Sequence, residues 1–334
     1  MTQPLIITQG DPTGVGPEII CKAWLAGCFD ALSRPLLVAG DLAVMQRAAA
    51  LFGAGFSVGP GQGLATHILR LGERQLGLAA LSHLDAARLG YGAPDVACGR
   101  AMRDYIQWAC DRCLEGTASG MVTAPINKAA IAAAGCDFPG HTELLAARCG
   151  APRVVMMLAG ARLRVALVTT HLPLRAVPEA LSQESILHTL RITHADLRRY
   201  FALPQPRLAV LALNPHAGEE GLFGDEEQRL ITPAIAAARR EGIHADGPHS
   251  ADTLFHFAVQ GSHDAVICMY HDQGLIPLKL LHFEDAVNLT LGLPIVRTSV
   301  DHGTAYDIAG RGRASHASLA AAVRLAAEMA EAAP

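Results

Sequence analysis

Short apolar runs rich in valine, isoleucine and leucine recur along the chain, and most are followed by a stretch whose apolar positions repeat at helical spacing. "PLIITQG" precedes "PEIICKAWLAG", "PLLVAGD" precedes "LAVMQRAAALFG", and "GMVTAPINK" precedes "AAIAAAG". A continuous apolar run suits a strand covered on both faces, and a 3.6-residue period suits the helix that covers it. The alternation predicts an α/β protein with a mixed, mainly parallel sheet. Residues 154–170, "VVMMLAGARLRVALVTT", break the rhythm. Two apolar runs meet there across Gly160 and Ala161 with no helical stretch between them, which predicts an antiparallel pair.

Composition narrows the class. With 334 residues, 51% of them hydrophobic, the chain can build one large or two ordinary domains. A formal charge of -4 and the lack of any basic block give no footprint for nucleic acid. No apolar run reaches the roughly 18 residues of a membrane span. The opening "MTQPLIITQGDPTG" has neither the basic start nor the apolar stretch of a leader and reads as a first strand, so a cytoplasmic location is expected. Eight cysteines without a framework fit a reducing compartment. Cys110 and Cys113 form a C-x-x-C, but it lies within a helical pattern and has no second pair to complete a zinc ribbon. Packing cysteines are expected there.

Candidate chemistry gathers where apolar runs end. "RVALVTTHLPL" places His171 after such a run, "RLAVLALNPHAGE" places His216 likewise, and "DAVICMYHDQG" does so for His271. Ligands of open α/β sheets bind beyond the carboxyl ends of the strands, so three imidazoles delivered there could meet around one divalent cation. Asp272, beside His271, could orient a ligating imidazole or be a solvated loop acid. Asp252, in "GPHSADTLFH", stands where a helix should begin and could simply cap it.

Two stretches suit an anionic substrate. "DFPGHTELLAARCG" presents Gly140, His141 and Thr142 before an amphipathic helix, either as an anion site at the helix start or as an ordinary cap. Lys279, Asn288 and Arg297 follow at intervals of nine in otherwise apolar sequence. Cations in such surroundings need partners, and a substrate phosphate, a substrate carboxylate or internal ion pairs could serve. "QGDPTGVGPE" matches neither the dinucleotide G-x-G-x-x-G nor the phosphate-binding G-x-x-x-x-G-K-[ST] pattern.

The segments "GDPTGVGPE", "TAPINKAAI", "GHTELLA", "TTHLPL", "LNPHAGEEGLFGDEE", "ADTLFH", "YHDQGLIPLK" and "VNLTLGLPIVRTSVDHGTAYDIAG", in order from residue 6 to 310, resemble the 4-hydroxythreonine-4-phosphate dehydrogenases of pyridoxal 5′-phosphate biosynthesis. The resemblance implies a two-lobed α/β/α sandwich akin to isocitrate and isopropylmalate dehydrogenases, with a cleft between lobes. These would be residues 1–130 with 305–334, and residues 131–304. It further implies NAD as cofactor, one divalent metal per subunit (zinc, magnesium or cobalt) on His171, His216 and His271, and a homodimer that completes the active site. Substrate contacts carry over to His141, Thr142, Lys279, Asn288 and Arg297, and Asp252 and Asp272 match the active-site acids. Lys279, tuned by either aspartate, is the candidate for moving the proton. The implied reaction oxidises 4-phosphooxy-L-threonine at C3 and decarboxylates the product to 3-amino-2-oxopropyl phosphate. Close relatives act instead on 4-phosphorylated threonate or erythronate, or on cyclic dihydrodiol carboxylates. A binding protein that had lost the chemistry would lack the lysine or a histidine, and all are present here. The chain departs from the usual pattern at Thr13 and Val15 and in "GRGRASHASL", away from the proposed chemistry.

Overall fold

A computed structural model describes residues 2–333, which fold as two compact units, one running up to Pro152 and resuming over Leu293–Ala330, the other formed chiefly by Arg153–Gly292. The first contains strands β1 (Leu5–Thr8), β2 (Leu36–Gly40), β3 (Ser57–Pro60), β4 (His67–Leu71), β5 (Arg74–Ala80) and β6 (Gly120–Thr123). The second contains β7 (Val155–Ala159), β8 (Arg164–Leu167), β9 (Leu208–Leu211), β10 (Ala245–His249), β11 (Ala265–Cys268) and β12 (Val287–Leu291), after which β13 (Arg297–Val300) returns to the first.

In the first unit the strand order is β13-β6-β1-β2-β5-β4-β3. The five strands from β13 to β5 are parallel, and β4 and β3 extend the sheet antiparallel at its edge. Every residue of β1 and β6 is buried, as continuous apolar runs require. Close packing accounts for the first glycine of the turn after β1: Gly10 has φ +72°, and a Cβ there would stand 2.4 Å from the Pro125 carbonyl oxygen. The pattern of apolar positions does not predict the antiparallel β3–β4 extension, because short polar strands such as "SVGP" carry little periodic signal. The C-x-x-C cysteines lie in the helix Val96–Leu114 as expected, with Cys110 Sγ 3.6 Å from Cys149 Sγ.

The second unit has the order β10-β9-β11-β8-β7-β12. Residues 154–170 form the expected antiparallel pair, Ala159 facing Arg164, and β12 runs antiparallel on the other side of β7. The core is made of Leu158, Val165, Leu167, Leu211 and Val266 from the strands and Leu275 and Leu278 from the helix His271–Leu281. Gly274 lets that helix sit close, since a Cβ would meet Cys268 Sγ at 2.8 Å. His271 follows the end of β11 as the first residue of that helix, which continues through Pro277. No helix among the described residues is long and apolar enough to cross a membrane.

Candidate active site

In the first unit the chemistry is built around Arg297. This residue opens β13, lies beside β6 in register with Met121, is 3% exposed and donates from Nη2 to Thr123 Oγ1 at 2.7 Å. Burial pushes its guanidinium down to about 10, against the opposing influence of Glu143. His141 is the first residue of the helix His141–Arg148, whose cap is Gly140, so the cap residue offers no side chain to the leading N–H groups and Thr142 is not the cap. Burial, then Arg297 and Lys128, hold the His141 imidazole well below its ordinary range. It is neutral, and its buried Nε2 has no hydrogen-bond partner among the described residues.

Lys128 completes this group, and sequence reasoning had assigned it no role. It begins the helix Lys128–Ala133, which is capped by Asn127 accepting from the Ala130 N–H at 2.8 Å. A Cβ on Gly140 would lie 3.6 Å from Lys128 Nζ, which places the ammonium beside the start of the His141 helix. The available signal was the N-K pair at a helix start. A guanidinium, an ammonium, a neutral imidazole and an uncapped helix terminus together make a cradle for an oxyanion.

The second unit carries the strand-end histidines. His171 follows β8 on an exposed turn, and its ring centroid lies 5.6 Å from that of His271. Beside them opens a pocket of about 430 Å³, lined also by Thr170, Leu174, Val177 and Tyr270. Asp272 Oδ1 stands 2.7 Å from His271 Nδ1, which turns the other ring nitrogen toward any cation. His216 follows β9 within five successive left-handed residues, His216 to Glu220, with φ between 42° and 78°. Each non-glycine residue held there costs about 1–2 kcal/mol. The buried carboxylate of Glu227 anchors the turn, Oε1 accepting from the Leu213 and Asn214 N–H groups at 2.8 Å.

The donor atoms of His171, His216 and His271 do not all fall within 4.8 Å of one another. The structure thus pairs His171 with His271 and presents His216 separately. The donor chemistry fits a divalent transition metal, with two imidazoles adjacent and one already oriented by a carboxylate. Asp252 is the second residue of the helix Ala251–Ala258, not its cap, and accepts from Ser250 Oγ at 2.6 Å. That hydroxyl foremost, with His216 nearby, keeps the carboxyl below the usual carboxylate range. Lys279 lies on the His271 helix with Nζ 5.9 Å from the Phe283 ring centre, and Asn288 lies in β12 opposite Leu158.

Comparison with known proteins supplies the context. Residues 31–326 match the family model described as pyridoxal phosphate biosynthetic protein PdxA. A 4-hydroxythreonine-4-phosphate dehydrogenase from Geobacter metallireducens is 60% identical over 333 residues, covering 98% of this chain and 96% of that one. The crystal structure of a 4-hydroxythreonine-4-phosphate dehydrogenase from Klebsiella pneumoniae superposes with a TM-score of 0.87 at 39% identity, covering 98% of this chain and all of the other. A terephthalate 1,2-cis-dihydrodiol dehydrogenase from Burkholderia xenovorans is more distant, with a TM-score of 0.67 at 28% identity and 98% coverage of both chains.

Proposed function

The chain belongs to the PdxA family of pyridoxal phosphate biosynthetic proteins, and from that premise we propose that it is a metal-dependent, NAD-linked dehydrogenase of 4-phosphooxy-L-threonine. On this reading it oxidises C3 and releases CO₂, leaving 3-amino-2-oxopropyl phosphate. The observation that carries the substrate class is the grouping of buried Arg297 and half-buried His141 with the exposed ammonium of Lys128, which offers charge-assisted and neutral donors to a phosphate or carboxylate.

A bound divalent ion would supply Lewis acidity toward the substrate hydroxyl and the ketone, and NAD⁺ would supply the hydride acceptor. The chain's own groups do the rest. His171, His216 and His271 would hold the ion, with Asp272 fixing the His271 ring. Arg297, His141, Thr142 and Asn288 orient the anionic ends. Lys279 moves the proton, a role worth about 10²–10⁴-fold, so Lys279→Ala should lower kcat by that factor and leave metal content unchanged.

A second copy of the chain completes the metal site on this reading. The separation of His216 from the His171–His271 pair supports it. So does the row Ile276, Leu280 and Phe283, which exposes 67%, 85% and 79% of its area along and just past the helix that bears His271. The eight free cysteines support a reducing, cytoplasmic setting.

The test follows NADH absorbance with purified enzyme given 4-phosphooxy-L-threonine, 4-phosphothreonate, 4-phosphoerythronate or the cis-dihydrodiol of terephthalate. It is repeated after chelation and after restoring single metals. Turnover of 4-phosphooxy-L-threonine that disappears on chelation is expected. Preference for any other substrate, or full activity without metal, overturns the assignment.

A further inference from the structure

Away from the strand-end histidines, the second unit assembles a set of donors with the spacing of a metal centre. Asp246 Oδ1 lies 2.9 Å from His249 Nε2 and 3.0 Å from His263 Nε2, and Asp246 Oδ2 lies 3.2 Å from the latter. One ligand atom from each residue falls within 4.8 Å of the other two. Donors held about 2.0–2.2 Å from one ion at right or tetrahedral angles stand about 2.8–3.6 Å apart, so the carboxylate-to-imidazole spacings are those of neighbouring corners of a coordination polyhedron.

The fold explains how three separated residues meet. Asp246 and His249 both belong to β10, the edge strand, where residues three apart would normally point to opposite faces. The β10–β9 register shifts between these two residues, and that irregularity brings both side chains to one side. His263 arrives from the segment before β11, which flanks β9 on its other edge.

The third donor is held in place before any ligand arrives. Asp264, the next residue, accepts from the Arg207 N–H at 2.7 Å and from its guanidinium at 3.1 Å, which pins the backbone beside His263. Ser262 Oγ stands 2.8 Å from His263 Nδ1. With Nδ1–H donated to that hydroxyl, the Nε2 lone pair faces the Asp246 carboxylate, an arrangement that a cation between them stabilises. The His263 side chain is 13% exposed, against 35% for His249 and 51% for Asp246, so the site is rooted in the protein and open on one side.

We propose that Asp246, His249 and His263 form a second metal site, independent of His171, His216 and His271. Two nitrogens and one oxygen with open positions select a divalent transition metal such as Zn²⁺, Co²⁺ or Ni²⁺ over Mg²⁺. The ion staples the edge strand β10 to the chain entering β11 and stabilises the fold as any ligand of the native state does.

Stripped full-length protein titrated with Co²⁺, followed by visible absorption and by metal analysis after gel filtration, reads the site directly. Asp246→Asn and His263→Gln should each bind one equivalent fewer than the unmodified chain, with turnover retained. Equal stoichiometry in all three overturns the proposal and leaves a carboxylate merely hydrogen-bonded to two imidazoles. Should a variant misfold, the unmodified chain suffices: Zn²⁺ should protect His249 and His263 from diethyl pyrocarbonate, as read by peptide mass spectrometry. Equal modification of both with and without Zn²⁺ also sinks the idea.

Discussion

The two candidate groups are built on opposite principles. In the first unit Arg297 is 3% exposed and bonded to Thr123, and His141 is pressed neutral by burial and by the neighbouring cations Arg297 and Lys128. In the second, His171 stands on an exposed turn, Asp272 is 71% exposed, and His216 rides a left-handed turn held from behind by Glu227. The difference follows from what each ligand contributes. An oxyanion binds strongly only to charges already desolvated and aimed, so the protein must meet that cost in folding. A divalent cation organises its own ligands through strong bonds and can draw together imidazoles that the free protein leaves apart.

If the first unit has invested stability in a buried charge, removing that charge should separate function from stability. Arg297→Met is expected to lower kcat/KM by about 10³-fold, as the loss of about 4 kcal/mol of charge-assisted hydrogen bonding would do. The thermal midpoint of the substrate-free protein should not fall, because an apolar residue replaces a desolvated cation. A fall in both would mean that Arg297 is chiefly structural. In the second unit the reverse pattern is expected. His216→Ala should weaken metal binding by more than about 10²-fold, beyond the usual effect of residues that only orient ligands, and activity should return as metal is raised. Full metal occupancy and full turnover in that variant would remove His216 from the site. Asp272→Asn makes a smaller version of the same test. The ring of His271 loses its carboxylate but not its place, so metal affinity should drop about 10–100-fold with little change in unfolding midpoint. Competition with a chromophoric chelator measures both variants.

The sequence made the second group visible and half of the first. Histidines following apolar runs are a local pattern, and the β7–β8 pair could be read because two runs lacked a helix between them. Arg297 stood out as a charge in apolar surroundings. Lys128 did not, since its role depends on two helix starts, at residues 128 and 141, lying side by side. The left-handed turn was equally silent. His216, Ala217, Glu219 and Glu220 are not residues that announce positive φ, and what holds them is Glu227, whose buried carboxylate binds the chain just before the turn. Asp246, His249 and His263 likewise meet only because β10 and β11 both flank β9, an adjacency that strand order determines and spacing along the chain does not.

The smallest expected effect probes the burial of the first group most directly. His141 in the folded protein titrates well below its ordinary value, burial being the main cause and Arg297 and Lys128 adding to it. In the unfolded chain the same imidazole takes up its proton near pH 6.5. As pH falls below that point the unfolded state binds a proton that the folded state refuses, so stability contributed above about pH 6.5 is lost by up to about 1.4 kcal/mol per pH unit until the folded value is reached. His141→Asn removes this dependence and keeps a polar side chain. Urea unfolding at pH 7.5 and at pH 5.5 should therefore show a smaller acid-induced loss in the variant than in the unmodified protein. The gap between them should be about one proton's worth, and it should vanish at pH 8. Bound inorganic phosphate should shrink the same gap, because an anion against the imidazole favours its protonated form and raises the folded value toward the unfolded one. Parallel pH profiles for the two proteins would mean that His141 is solvated like a surface histidine, and the contrast between an anion group rooted in a buried arginine and a pair of histidines at the surface would lose its first half.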